Sequence, residues 1–142
     1  MQWLILGAVL LICSVSDLRR GLVYDWVTLP ALAIILLHAV AQGDLVRAVL
    51  GASCASSTLL LLHVITRGRG MGLGDVKLAA VIGAAMHLQA AMAALGAAFV
   101  CGALVGVALL IAHRAGRTTE MRFAPFLALG VVSALVATKI LQ

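Results

Sequence analysis

The chain has 142 residues, of which 64% are hydrophobic and 11% are charged, and its mean hydropathy is +1.19. A soluble domain is about half apolar and about a quarter charged, so this composition excludes an ordinary core surrounded by water and indicates lipid as the main solvent. The net charge of +5 fits basic loops on the cytoplasmic side of a membrane better than it fits nucleic-acid binding.

Six apolar segments follow one another along the chain and predict an all-α, polytopic membrane protein with a single membrane-embedded domain over residues 1–142. The fourth segment is short for a hydrocarbon layer of about 30 Å, so either the bilayer thins there or the loop before it dips below the headgroups. Asp25 or Thr28 is predicted to cap the second helix. The six segments are Gln2–Ser16, Asp25–Ala41, Leu45–Thr66, Val76–Met86, Gln89–Ile111 and Pro125–Leu141.

The polar connections between these segments differ in charge. Only Arg47 and Lys139 fall on one side of the predicted membrane, and the other eight of the ten basic residues fall on the opposite side. Because basic loops stay in the cytoplasm, this asymmetry predicts six transmembrane helices with both termini on the non-cytoplasmic side. It also places Asp17 and Asp75 at the same cytoplasmic face. The eight basic residues are Arg19, Arg20, Arg67, Arg69, Lys77, Arg114, Arg117 and Arg122.

Asp17 and Asp75 stand where apolar segments meet polar loops. A charge at bilayer depth costs several kcal/mol on most scales, so an acid at this position indicates a structural or functional role. Two carboxyl groups that share a water can hydrolyse an amide without a metal or cofactor, provided that one is ionised and the other protonated. Asp17 and Asp75 are therefore the candidate catalytic pair. Two plainer interpretations stay open: Asp17 pairs with neighbouring arginines, and Asp75 begins a helix behind a flexible loop.

The residues around Asp75 suggest supporting roles. Gly72 and Gly74 are predicted to adopt backbone conformations closed to other residues and to leave room for an extended peptide. Lys77 falls in the first turn of the next helix, where the helix dipole disfavours a cation. A lipid phosphate, the acid pair and a substrate carbonyl are all open as its partner.

The three cysteines and four histidines are scattered through apolar runs. They form no Cys-x-x-Cys pattern and no Cys/His spacing, so the sequence predicts neither a disulfide framework nor a metal site. The candidate chemistry of the acid pair likewise requires no cofactor.

Three segments in register resemble one family. The run Gly72-Leu73-Gly74-Asp75-Val76-Lys77 is similar to the Gly-x-Gly-Asp-x-Lys motif of the bacterial type IV prepilin peptidases, membrane aspartyl proteases of the same broad type as presenilin. The segment from Asp17 through Asp25-Trp26-Val27-Thr28-Leu29-Pro30 looks like the first-aspartate region of that family. The run from Phe123 to Gly130 resembles its last-helix signature.

The resemblance implies an aspartic-type endopeptidase of the bacterial inner membrane whose catalytic residues carry over to Asp17 and Asp75. Its substrates would be the basic leaders of type IV prepilins, pseudopilins or competence prepilins, cut at the cytoplasmic face, usually after a glycine. Its other partner would be membrane lipid, and a homo-oligomer formed through small-residue faces is left open.

The chain departs from the family pattern in two places. Tyr24 stands where the family often has a proline. The paired Cys-x-x-Cys segment that many members carry, and that is associated with methylation, is not found in this sequence, so the expectation is a minimal, protease-only form without methyltransferase activity.

Two other classes of function are weighed against the peptidase. A small transporter or channel would place its acids near the middle of the membrane and would often show an internal repeat, whereas the sequence shows no repeat and both acids fall at segment ends. A non-catalytic assembly factor for a pilus or secretion machine would not need both aspartates.

Overall fold

The computed structural model describes residues 2–20, 23–68, 72–111 and 123–140. Within these ranges the regular elements are all α-helices, which confirms the predicted all-α class. The predicted polar loop from His113 to Arg122, residue Arg69 and the predicted end of the last segment at Leu141 lie outside the described residues. The helices are α1 (Gln2–Arg20), α2 (Asp25–Gln42), α3 (Leu45–Ile65), α4 (Leu73–Ile111) and α5 (Ala124–Ile140).

Three of these helices, α2, α3 and α4, are long and apolar enough to cross a membrane. In α4 the apolar stretch covers Leu73–Ala108, and α5 contributes a shorter one over Ala124–Ala137. The described part of the chain is therefore a helical membrane protein with three candidate spans. The arrangement of six spans with both termini outside stays a prediction.

Helix α1 runs four residues further than the sequence predicts, ending at Arg20 rather than Ser16. Hydropathy marks where the apolar stretch stops, but the helical period continues beyond that point. Leu10, Cys13 and Asp17, spaced by three and four residues, are all buried on the same face of α1. Asp17 thus belongs to the last turn of a helix and points into the protein.

Helix α2 begins at Asp25, and Tyr24 occupies the N-cap position without a side-chain cap hydrogen bond. The prediction that Asp25 or Thr28 caps this helix is therefore wrong. The Thr28 hydroxyl instead donates a hydrogen bond of 3.4 Å to the carbonyl of Tyr24 from within the first turn. This leaves the Asp25 carboxylate available for a contact outside its own helix.

The long helix α4 is interrupted at His87, whose φ of 61° and ψ of 176° are not helical. Residues 73–86 before the break would rise about 21 Å, and residues 88–111 after it about 36 Å, at 1.5 Å per residue. The interruption falls between the fourth and fifth segments predicted from hydropathy. The first of these pieces is the one that carries Asp75.

Small and large apolar side chains share the interior, while many further large ones face outward. Many buried positions are alanines, whereas leucines, isoleucines and valines of every helix are extensively exposed. Such an arrangement suits a bundle in lipid, because apolar surface need not be hidden there and small residues let helix backbones approach closely. Within the described residues, α4 is the helix that contacts each of the other four, so it forms the centre of the bundle.

The closest approach in the bundle joins α3 to α4 at Gly51 and Gly83. A Cβ atom added at either glycine would collide with the backbone carbonyl oxygen of the other. A similar contact joins α4 to α5, where a Cβ atom at Gly130 would collide with the carbonyl oxygen of Ala94. These contacts fix the central part of α4 against its two neighbours.

Replacing Gly83 by alanine should therefore lower the free energy of unfolding by about 1–3 kcal/mol, because backbone atoms must move to admit the methyl group. Thermal unfolding in detergent would measure the loss. Gly96→Ala is the matched control, since Gly96 lies in the same helix and no atom is within 4 Å of its added Cβ. Equal behaviour of the two variants would contradict the close contact.

Candidate active site

Asp17 and Asp75 are two of the three polar or charged residues that are buried in the described part of the chain, the third being Thr28. Only 7% of Asp17 and 6% of Asp75 is exposed. Asp17 lies in the last turn of α1 and Asp75 is the third residue of α4. Two helix ends thus deliver one carboxyl group each to the interior of the bundle.

The structure brings these two acids within electrostatic range of each other, so that charge on Asp17 acts on Asp75. Both carboxyl groups also act on the thiol of Cys13, which lies one helical turn before Asp17. The three side chains therefore form one cluster, built from the inward face of α1 and the first turn of α4.

The surroundings of the Asp75 carboxyl differ between its two oxygens. Backbone hydrogen bonding from Gly72 reaches this carboxyl, and a Cβ atom built on Gly72 would lie 4.0 Å from Oδ2. Oδ1 is buried and has no hydrogen-bond partner among the described residues. A buried carboxyl oxygen of this kind is costly unless a water or a ligand completes its hydrogen bonding, so Oδ1 is the atom of the candidate site at which such a partner would bind.

The first turn of α4 packs against the segment that leads into α2. A Cβ atom added at Gly74 would lie 2.6 Å from the Cβ atom of Val23, closer than unbonded carbon atoms can come. One helical turn later, Nζ of Lys77 lies 2.6 Å from Oδ1 of Asp25. Val23 to Asp25 therefore supports the helix end that carries Asp75.

These contacts correct the expected reason for the glycines. Gly74 is not among the glycines with positive φ, so it does not use a backbone conformation closed to other residues. Gly74 is required because Val23 leaves no room for a side chain. At Gly72 the nearest atoms to an added Cβ are 3.9 Å and 4.0 Å away, so this residue instead leaves open space beside the carboxyl.

Sequence reasoning did not predict Asp25 as the partner of Lys77; it considered Asp25 as a helix cap and as part of the segment that resembles the family. Its partner Lys77 is 52 residues away in the chain, and a local sequence pattern does not predict a pairing over that distance. Cys13, by contrast, could have been found from its spacing of four residues before Asp17, which places both on one helix face.

No group of three or more His, Cys, Asp or Glu side chains that could hold a metal ion occurs within the described ranges. The site is instead an acid pair with a thiol beside it and an ion pair at its edge. Its elements are a helical membrane bundle, two buried carboxyl groups and a glycine-containing turn that opens toward one of them.

The sequence profile of the type IV leader peptidase family matches residues 4–107. The chain therefore belongs to that family, which confirms the resemblance carried by its three motif segments. No solved structure matches the chain.

Relatives named prepilin leader peptidase/N-methyltransferase are similar over much of the chain. The protein of Xanthomonas campestris pv. campestris is 32% identical over 138 residues, which covers 89% of this chain and 48% of the relative. That of Aeromonas hydrophila is 33% identical over 132 residues, covering 89% and 46%. That of Bacillus subtilis is 36% identical over 85 residues, covering 60% and 34%. The chain thus spans about half the length, or less, of these curated relatives.

The contact between Gly74 and Val23 predicts that Gly74→Ala displaces the first turn of α4. Since a misplacement of about 1 Å in a catalytic group can cost about 10²-fold in rate, we expect the leader-peptidase activity proposed below to fall at least tenfold. Adding Val23→Gly removes the colliding atom and should restore most of the rate.

Gly72→Ala serves as the control for folding in this experiment, because an added methyl group meets only ordinary contacts there. Its thermal unfolding in detergent should match that of the wild type. Full activity of Gly74→Ala, or no recovery in the variant that also carries Val23→Gly, would contradict the assignment of this contact.

Proposed function

We propose that this chain is an intramembrane aspartyl endopeptidase that cleaves the leader of type IV prepilins or pseudopilins at the cytoplasmic face of the bacterial inner membrane. The observation that carries the proposal is the pair of buried carboxyl groups, Asp17 and Asp75, within electrostatic range of each other. Membership of the type IV leader peptidase family supports the class of substrate.

Two carboxyl groups at close range do not both ionise readily, so such a pair holds one proton between them. The ionised member removes a proton from a water molecule, and the water oxygen attacks the carbonyl carbon of the peptide bond. The protonated member donates its proton to the carbonyl oxygen. The C–N bond of the tetrahedral intermediate then breaks as the amine nitrogen takes the proton from the carboxyl group that had removed it from water. The other carboxyl group recovers a proton from a hydroxyl of the intermediate, so the pair returns to its starting state.

The peptide must reach the acids in an extended form. In a helix the backbone N–H and C=O groups are hydrogen-bonded to one another, so a helical peptide bond is shielded from attack. Gly72 lies exposed beside the Asp75 carboxyl with open space around its Cα atom. We assign it the role of admitting the substrate backbone to the unpartnered Oδ1 of Asp75. Gly74 and Lys77 act on the other side of the same turn, as supports.

The proposal is limited to the peptidase reaction, since this is the chemistry that an acid pair supplies. The cytoplasmic face of cleavage is supported by the basic residues of the face that carries both acids, among them Arg19, Arg67 and Lys77. Such residues stay on the cytoplasmic side of a bilayer. In this orientation the acids lie where a leader emerges from the membrane surface.

Asp17→Asn and Asp75→Asn should each abolish cleavage of a prepilin leader peptide in liposomes, with a loss of at least about 10³-fold, because members of a catalytic unit fail together. Mass spectrometry of the products would measure the rate and locate the cut. Each variant should still insert into the membrane and fold.

Asp44→Asn is the matched control, since Asp44 is an accessible acid that pairs with Arg47 in the turn before α3. It should cleave at the wild-type rate. Persistent cleavage by either Asp17→Asn or Asp75→Asn would refute the assignment of the pair, and no cleavage of several leaders by folded wild-type protein would refute the peptidase.

A further inference from the structure

The start of α4 contacts the start of α2 at two points, one at Val23 just before α2 and one at Asp25, its first residue, and Asp75 lies between Gly74 and Lys77 in the sequence. Gly74 packs against Val23 with no room for a side chain. Lys77 reaches Asp25, with 2.6 Å between Nζ and Oδ1. Positions 74 and 77 are three residues apart, so they lie on the same face of the helix.

The geometry of an α-helix relates these contacts to the acid. Successive residues turn by about 100°, so Lys77 and Asp75, two residues apart, point in nearly opposite directions, about 160° apart. Holding Lys77 toward α2 therefore turns Asp75 away from α2. Leu78, one turn beyond Asp75 on its own face, is completely buried in the core.

Stability alone does not account for a lysine at this position. The side chains of Lys77 and Asp25 are 41% and 55% exposed, and an ion pair this accessible adds little to stability. A cation in the first turn of a helix is also opposed by the helix dipole. The pair does provide a link between α2 and α4, close to the turn of α4 that sets the direction of the Asp75 side chain.

We propose that the ion pair between Asp25 and Lys77 is a positioning device, which together with the Gly74–Val23 contact fixes the rotation of the first turn of α4 and so directs Asp75 toward Asp17. The inference rests on the proposed peptidase function. Asp25 and Lys77 are positioning residues that act through Asp75, and neither contacts the reacting peptide bond.

The test compares Lys77→Met, Asp25→Asn, the double variant and Lys77→Arg in the full chain, reconstituted in liposomes with a prepilin leader peptide. Each single loss of charge should lower kcat about tenfold, in line with the sensitivity of catalysis to small displacements, while KM changes less than twofold. The double variant should be no slower than the slower single variant, because both changes remove one shared contact. Lys77→Arg keeps the charge and should recover at least half of kcat.

A matched ion pair elsewhere provides the control. Arg47 and Asp44 lie 3.5 Å apart within one helical turn and have accessible side chains. Arg47→Met and Asp44→Asn, alone and combined, remove the same charges without touching α4 and should leave kcat and KM unchanged.

Three results would overturn the positioning role. Unchanged kcat in both single variants would show that the pair is dispensable. Losses that multiply in the double variant would show that the two residues act independently. A rise in KM alone, whose size depends on the number of basic residues in the leader, would show that Asp25 or Lys77 binds the substrate.

Hydrogen exchange of the backbone amides of residues 73–78 tests the contact without relying on catalysis. Lys77→Met and Asp25→Asn should each speed exchange in this turn at least about twofold, as expected for the loss of a weak ion pair, and Lys77→Arg should not. If the wild type cleaves no leader, the proposed function fails. The exchange rates would still show whether the ion pair between Asp25 and Lys77 stabilises this turn. Unchanged exchange in both single variants overturns the positioning device whatever the activity.

Discussion

The arrangement depends on one constraint: two carboxyl groups must be kept inside a bundle whose outer surface is apolar. A charged group facing hydrocarbon is costly, so acids in membrane helices turn inward. Asp17 meets this requirement because it lies on the same buried face of α1 as Cys13. Asp75 meets it because it is buried in the first turn of α4. The same inward orientation that keeps the acids away from lipid brings them together. The apolar lipid around the bundle therefore favours the formation of the site.

Holding α4 at the centre of the bundle is the second requirement, and small residues meet it. Gly51 and Gly83 bring the backbones of α3 and α4 into contact, and Gly130 does the same between α5 and α4. These contacts fix the middle of α4. Its first residues lie against the start of α2 and the residue Val23 before it, where Gly74 and Lys77 supply local contacts. The body of the helix is thus held by packing, and the end that carries Asp75 is held by a separate set of interactions.

Much of this could be predicted from the sequence, because in lipid the hydropathy pattern and the helical period carry most of the fold. The all-α class, the division of the long helix near His87 and the inward placement of Asp75 follow from such local signals. The sequence could not reveal that α1 continues to Arg20, because charged residues hide the helical period from hydropathy. Nor could it reveal the partners of Gly74 and Lys77, which are tertiary contacts between segments about fifty residues apart.

The most direct test of the central claim is the affinity of a leader peptide in which a secondary alcohol replaces the scissile amide, compared with the same peptide carrying a methylene group there. The alcohol imitates the tetrahedral intermediate between two carboxyl groups, and such analogues bind at least about 10²-fold more tightly than ground-state ligands. We expect that preference in the wild type and its loss in both Asp17→Asn and Asp75→Asn. Equal affinity for the two peptides, or a preference that survives both substitutions, would contradict a shared role for these acids.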